Sequence, residues 1–252
     1  MPRKARKKSS TGIYHVVLRG VNRQCIFIDD ADRIKFLSKL LYFKELTGCE
    51  IFCYCLMDNH IHLLIKIDGE LLATFIKQIC GSYVFYFNDK YGRCGHLFQE
   101  RFRSETVEND CYFFIALRYI LQNPVKAGLT KRAAEYRWSS YKDYLISSKV
   151  SEVEWVLEMF SSDKKLAVKL FVEYVNTPNE DECLDYESKH RVPDKDVIEY
   201  IKRISGREAS ELINLEKRER DAIIKKVKSM QGVSLRQIER VTGIPKSTID
   251  RL

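Results

Sequence analysis

No apolar run in the 252-residue sequence approaches the roughly 18 residues that a membrane-spanning helix needs, which excludes an integral membrane protein of the helical kind. There is no C-x-x-C pair. The eight cysteines, Cys25, Cys49, Cys53, Cys55, Cys80, Cys94, Cys111 and Cys183, lack the paired spacing of a zinc site. Cys53 and Cys55 are one residue apart in an apolar run, so they share a strand face and read as reduced, small, buried hydrophobes. No apolar h-region follows the basic start Met1-Pro-Arg-Lys-Ala-Arg-Lys-Lys-Ser-Ser10. That start reads as a flexible arm, solvated or in contact with phosphates, and not as a secretory signal; the chain is expected in the cytoplasm. No internal repeat is present.

What is there describes a globular chain. Hydrophobic residues make up 45% and charged residues 31%, with a net charge of +8. A basic balance favours polyanionic partners, a weak pointer by itself.

The patterning predicts an α+β fold. Ile13 to Arg19 is β-branched and apolar up to Gly20, a strand. Asp29 and Asp30 offer a helix start, and Ile34, Phe36, Leu37, Leu40, Leu41 and Phe43 recur at helical spacing up to Gly48. Two strand-like runs follow, Cys49 to Met57 and Ile61 to Ile67, joined by a turn at Asp58-Asn59. A second helix spans about Leu71 to Tyr91, a short strand Phe102 to Val107, and a third helix about Asn109 to Gln122, stopping near Pro124. The order β-α-β-β-α-β-α matches the ferredoxin-like split motif, an antiparallel sheet, plus one helix. Residues 129 to 190 read as helical and polar, and the chain from Pro193 onward as all-helical. The expected divisions are a basic arm over 1–10, a catalytic domain over 11–145, a helical extension and linker over 146–190, and a helical domain over 191–252.

Met57-Asp-Asn-His60-Ile61-His62-Leu-Leu-Ile65 is the most informative stretch. Strand side chains alternate between faces, so His60 and His62 share one face and can both reach one divalent ion. Two half-buried histidines without a ligand are the plain alternative, although polar groups in so apolar a strand are costly unless paired. Farther on, Tyr119 and Asn123 are four residues apart and share a helical face. Tyr119 alone can be core packing, and Asn123 can cap the helix end.

The stretch from Met57 to Ile65 resembles the single-tyrosine HUH transposases, especially the REP-associated tyrosine transposases, and Tyr119-Ile-Leu-Gln-Asn123-Pro-Val-Lys resembles the segment that holds their nucleophile. The resemblance implies that His60, His62 and Asn123 hold a divalent metal, Mg²⁺ or Mn²⁺, and that Tyr119 is the nucleophile. Tyr112 is the rival tyrosine, one face-repeat earlier but without the following Asn-Pro. Tyr83 and Tyr86 are third. The resemblance further implies nicking and rejoining of single-stranded DNA, with hairpin ends, through a 5′-phosphotyrosine. It admits a homodimer.

Tyr91 to Arg103 is similar to the same family. Its arginines Arg93, Arg101 and Arg103 suit phosphates, and Phe98 suits stacking on a base. Arg19 and Arg23, after the first strand, are further DNA candidates. Gly232 to Leu252 reads as a helix-turn-helix. Ser234 caps its first helix, Leu235, Ile238 and Val241 form a buried stripe, Gly243 makes the turn, and Ser247 starts the second helix. Lys246, Ser247, Thr248 and Arg251 are its DNA candidates. Two other functions stay open: a catalytically inactive DNA-binding regulator, and a metal hydrolase that uses water.

Overall fold

The computed structural model describes residues 6–99, 101–146, 150–181, 183–184, 193–230 and 233–251. Residues 1–5 of the expected arm, residues 147–149, 182 and 185–190 of the expected extension and linker, and residues 191, 192, 231, 232 and 252 of the expected C-terminal domain lie outside them. The chain divides into two compact units, Met1–Tyr186 and Glu187–Leu252.

In the first unit, strands β1 (Ile13–Arg19), β2 (Glu50–Met57), β3 (His60–Lys66) and β4 (Arg103–Thr106) form one sheet in the order β2-β3-β1-β4. Every neighbouring pair is antiparallel. With helices α1 (Asp30–Thr47) and α2 (Leu72–Tyr91) between strands, this is the ferredoxin-like arrangement expected from the pattern.

The sheet is buried on both faces, as its nearly continuous apolar strands require. Tyr14, Val16, Leu18, Tyr54, Leu56, Ile61, Leu63 and Ile65 pack under α1 and α2. Ile13, Cys53, Cys55, Met57 and Leu64 face the other way, toward helix α3 (Asp110–Lys126). His15 and His62 alternate onto this second face. Cys53 and Cys55 are buried and free as expected, as is Cys49, whereas Cys25, Cys94 and Cys111 are exposed.

Helix α1 starts at a reciprocal cap, in which the Asp29 carboxylate accepts from the Asp32 amide at 3.0 Å and the Asp32 carboxylate accepts from the Asp29 amide at 3.2 Å. It ends where Gly48 turns left-handed at φ 67°. The buried Asp32 also accepts from Lys90 Nζ at 2.8 Å and the Tyr91 hydroxyl at 2.9 Å, tying α1 to the end of α2.

Two expectations need correction here. Helix α3 does not stop at Pro124 but runs to Lys126 with the proline inside it. A proline removes a single helix bond, here the one back to Ile120, and Pro124 and Leu121 are buried in the core. The segment after Gly128 is also not merely polar. Tyr141, Tyr144, Val153, Val156, Leu157 and Phe171 complete the core on the α3 face, with helices α4 (Val153–Glu158) and α5 (Lys164–Asn176). Trp138 to Ser140 lies along the free edge of β2, where the Leu56 amide donates to the Trp138 carbonyl at 2.9 Å, so that edge is covered.

The second unit is helical, with α6 (Asp194–Ser205), α7 (Lys217–Lys228), α8 (Leu235–Thr242) and α9 (Lys246–Asp250) around Val197, Leu212, Ile224, Ile238 and Ile249. The Ser234 hydroxyl caps α8 by accepting from the Gln237 amide at 3.2 Å, and Gly243 ends it at φ 71°. In α8 Ile238 is fully buried, whereas Leu235 and Val241 are half-buried. Helix α9 begins at Lys246 after Pro245, so Ser247 lies inside it and does not start it; proline's fixed φ suits a helix entry. Among the described residues, no helix is long and apolar enough to cross a membrane.

Candidate active site

Strand β3 presents His60 and His62 on the face that α3 covers. The register sets Arg19 and Met57 beside His60, and Val17 and Cys55 beside His62. His62 is fully buried and His60 half-buried at the strand's start. The two rings stand edge to face with centroids 5.0 Å apart.

Tyr119 and Asn123 lie one turn apart on α3, and both point at this face. The Asn123 carboxamide bridges the histidines: its Oδ1 is 3.2 Å from His60 Nε2, and its Nδ2 is 3.3 Å from His62 Nε2. Because α3 continues past it, Asn123 does not cap the helix. Its side chain is spent on the histidines. The Tyr119 ring lies 5.9 Å from the His62 ring and 6.3 Å from that of His15. Tyr119 is buried, at 8% exposure. The Lys126 ammonium lies 4.7 Å from the Tyr119 ring centre.

The hydrogen bonds assign the protons. Asn59 Nδ2 donates to the Arg23 carbonyl at 3.3 Å, which turns its Oδ1 to His60 Nδ1 at 2.6 Å. His60 Nδ1 therefore carries a proton, and the role of Nε2 depends on what Asn123 offers it. His62 Nε2 accepts from Asn123, so His62 Nδ1 donates to His15 Nε2 at 3.0 Å. Burial holds His62 well below the ordinary histidine range, with the neighbouring His15 and His60 adding to it. Burial likewise lowers His15 to about 3. Both are neutral at neutral pH, the state in which imidazole binds metals. Among the described residues, no three His, Cys, Asp or Glu side chains form a metal cluster.

A clamp outside the sheet fixes the turn before His60. Asp58 and Asn59 are gripped by the loop after β1: the Gly20 amide donates to the Asn59 carbonyl at 2.9 Å, and the Ile26 amide to the Asp58 carbonyl at 2.7 Å. Arg33 pairs with the Asp58 carboxylate. Asp58 thus serves the turn.

The rival tyrosines are engaged elsewhere. The Tyr112 hydroxyl donates to Glu105, and burial and that carboxylate both raise its pKa, the wrong direction for a nucleophile. The Tyr83 hydroxyl donates to the Ile26 carbonyl at 2.5 Å and that of Tyr86 to Asp32 at 3.3 Å, both on the α1–α2 side.

The expected DNA-binding residues scatter. Arg19 and Arg103 share the histidine face, since Arg19 pairs with His60 and Arg103 with Val17. Arg23 sits at φ 62° in the loop that clasps Asn59. Arg93 is turned onto Gln24, donating at 3.0 Å. Phe98 and Arg101 border a cavity beside α2. In the second unit Lys246, Ser247 and Arg251 are exposed and Thr248 half-exposed.

Three residues of the site were not picked out from the sequence: His15, Asn59 and Lys126. His15 interrupts an apolar strand just as His62 does, and that same signal marks it. Lys126 lies seven residues after Tyr119, on its face of the helix. Asn59 carries no signal beyond a turn residue.

Residues 8–123 match the family model described as "Transposase IS200 like", the resemblance carried by the His60 and Tyr119 segments. A solved structure described as a REP-associated tyrosine transposase bound to a REP hairpin is similar in fold. It has a TM-score of 0.51 and 18% identity, covering 62% of this chain and 91% of that one. A Deinococcus radiodurans R1 protein assigned as a transposase aligns at 16% identity over 50% of this chain and 97% of that one, with a TM-score of 0.34. No curated protein matches the chain.

Proposed function

We propose that this chain, whose residues 8–123 are of the IS200-like transposase type, nicks and rejoins single-stranded DNA through a covalent 5′-phosphotyrosine at Tyr119. One observation carries the reading: Tyr119 and Asn123 stand one helical turn apart over the strand face of His60 and His62, with Asn123 within 3.3 Å of both imidazoles.

His60 Nε2, His62 Nε2 and Asn123 Oδ1 are the atoms that would hold a divalent ion, Mg²⁺ or Mn²⁺. The donor set fits, because burial holds His62 neutral and the Asn123 carboxamide lies within 3.3 Å of both imidazoles. Such an ion, when bound, polarises a phosphate oxygen. Tyr119 Oη attacks the phosphorus, forming an O–P bond while the bond to the 3′ oxygen breaks. The phenolic proton passes to solvent, and the leaving 3′ oxygen takes up a proton to become a free hydroxyl. Attack by a second 3′ hydroxyl reverses the step and rejoins DNA. A phenol with an ordinary pKa of about 10 is a weak nucleophile. The Lys126 ammonium, 4.7 Å from the Tyr119 ring, favours the phenolate and attracts the phosphate. Arg19 and Arg103, on the same face, suit the flanking phosphates.

DNA with a hairpin end is the substrate class proposed, in keeping with the hairpin in the similar solved structure. Residues 11–145 are assigned to catalysis, 146–190 to a helical extension and linker, and 191–252 to a helix-turn-helix domain. In that domain α9, with Lys246, Ser247, Thr248 and Arg251, contacts DNA. Helix α9 has only five residues, which suits contacts to phosphates more than base reading.

The test is incubation with labelled single-stranded hairpin DNA and Mg²⁺ or Mn²⁺, followed by denaturing gels and peptide mapping. A covalent adduct on Tyr119 is expected, absent in Tyr119→Phe. An undiminished adduct in that variant refutes the nucleophile, and cleavage without any adduct supports the water-using hydrolase.

A further inference from the structure

A cavity of about 310 Å³ opens between the end of β1 and helix α2. Its floor is apolar, built from Leu18 and Ile76, both nearly fully buried. Phe98 and Phe102 form one wall, and Arg6, Lys77 and Arg101 stand around it. The Arg6 guanidinium lies flat on the Phe102 ring, 3.7 Å from its centre, and donates to the Phe102 carbonyl at 3.1 Å. Gln99 supplies the one carboxamide of the lining, with its backbone amide pinned to the Arg19 carbonyl at 2.7 Å.

These features belong together chemically. An apolar floor with aromatic and guanidinium planes accepts the face of a nucleobase. Cations around it accept the phosphates on either side of that base. A carboxamide donates and accepts at once, so Gln99 can meet a base edge. The volume is near the lower limit of small-molecule sites, about 300–1,000 Å³, which suits one base and its sugar and not a stacked run. The cavity lies on the α2 side of the sheet, opposite the histidine face, and the two meet at the same end of the sheet: Arg19 lines the cavity and is the strand partner of His60.

We infer that this cavity holds a single unstacked base of the single-stranded DNA, next to the phosphate that Tyr119 attacks. The inference rests on the proposed function for the strand's position and adds to it a subsite for a base. A strand entering over Arg19 turns one base into the cavity, which sets the neighbouring phosphate in register with His60.

The experiment uses the full chain and a random-sequence single-stranded oligonucleotide pool carrying 5-bromodeoxyuridine. Cross-linked peptides are mapped after irradiation, and affinity is read by fluorescence anisotropy. Cross-links from base to Phe98 or Phe102 are expected. Ala73→Trp fills the cavity mouth from an exposed position on α2, so folding is spared. It should abolish those cross-links and weaken the pool's binding about fivefold to a hundredfold, the range that one stacked base contributes. Binding with cross-links confined to other peptides, or undiminished affinity and cross-linking in Ala73→Trp, overturns the subsite while leaving the nicking reaction standing. A wild-type chain that does not bind the pool at all overturns the subsite and the single-strand reading together. Tyr119→Phe, which leaves the cavity intact, should keep the cross-links.

Discussion

Replacing Asn59 by alanine tests whether the proton placement on His60 matters. Asn59 makes two side-chain hydrogen bonds, to His60 Nδ1 at 2.6 Å and to the Arg23 carbonyl at 3.3 Å. Its backbone carbonyl keeps the bond from Gly20, so the turn itself survives. Asn59 is half-exposed, and each lost bond costs about 0.5–1.5 kcal/mol, so the fold should lose about 1–2 kcal/mol, measured as a lower urea midpoint. The effect on the site should be larger. Without the Asn59 acceptor, the His60 proton is free to move to Nε2, the atom that faces Asn123. Outer partners of metal-binding histidines are typically worth about 10–100-fold in affinity. Isothermal titration of the full chain with Mn²⁺ should show a loss in that range for Asn59→Ala. Asn59→Asp, which keeps an acceptor at the same place, should bind at least as well as the wild type. The reasoning fails if Asn59→Ala binds Mn²⁺ normally while His60→Ala does not.

Three further outcomes follow from the packing. A Cβ on Gly20 would lie 2.2 Å from the Gln24 carbonyl oxygen, so Gly20→Ala must shift the clasping loop; a loss of about 1–3 kcal/mol is expected in urea titration. Asp32→Ala leaves the Ile28 and Asp29 amides without their side-chain acceptor and takes one of two carboxylates from Lys90, which keeps Asp29. Each unsatisfied group costs about 1–3 kcal/mol, so a loss of about 2–4 kcal/mol is expected in urea titration. His15 titrates near 3 when folded and near 6.5 when unfolded. The unfolded chain therefore binds more protons between these values, and stability falls as pH drops below about 6.5. In EDTA, a urea-midpoint series from pH 7.5 to 5 should show that fall, and His15→Leu should reduce it, the remainder coming from His62, which burial also holds below the ordinary histidine range.

Much of the first unit is legible in its periodicity. Ile13–Arg19, the Asp29 cap, Gly48 and the Asp58-Asn59 turn are local features, and each mark survives because its reason is local. The face shared by His60 and His62 is likewise fixed by alternation alone. What fails to show locally depends on partners far along the chain. Pro124 signals a helix end, yet tertiary burial of Leu121 and Pro124 carries α3 two residues past it. Tyr141, Tyr144 and Phe171 read as ordinary residues of a polar segment, but their places in the core exist only once β2 has formed. The loop from Leu97 to Phe102 showed its arginines in the sequence, but the cavity it walls needs α2 and the N-terminal arm together. Asn59 acts through a bond to Arg23, a residue held at positive φ that no propensity predicts.

The same dependence explains how α3 can serve as a firm support for the proposed nucleophile despite its proline. Arg118, Gln122 and Lys126 form a row at four-residue spacing, one position over from Tyr119 and Asn123 or three positions on. That row is fastened to the chain that follows α5. Arg118 holds the Asp181 carboxylate with two bonds, at 2.7 and 3.0 Å. Gln122 donates to the Val175 carbonyl at 2.6 Å, and Lys126 donates to the Asp181 carbonyl at 2.9 Å. The Leu184 amide reaches back to Glu105 on β4 at 3.2 Å. Helix α3 is therefore held on one side by the sheet and on another by residues 175–184. A helix fixed by long-range contacts on two sides does not rely on its own last turn for its axis. The positions of Tyr119 and Asn123 relative to His60 and His62 then depend on residues well beyond 8–123, the span that matches the family model, which makes the described residues of 175–184 part of the mechanical support of the proposed site.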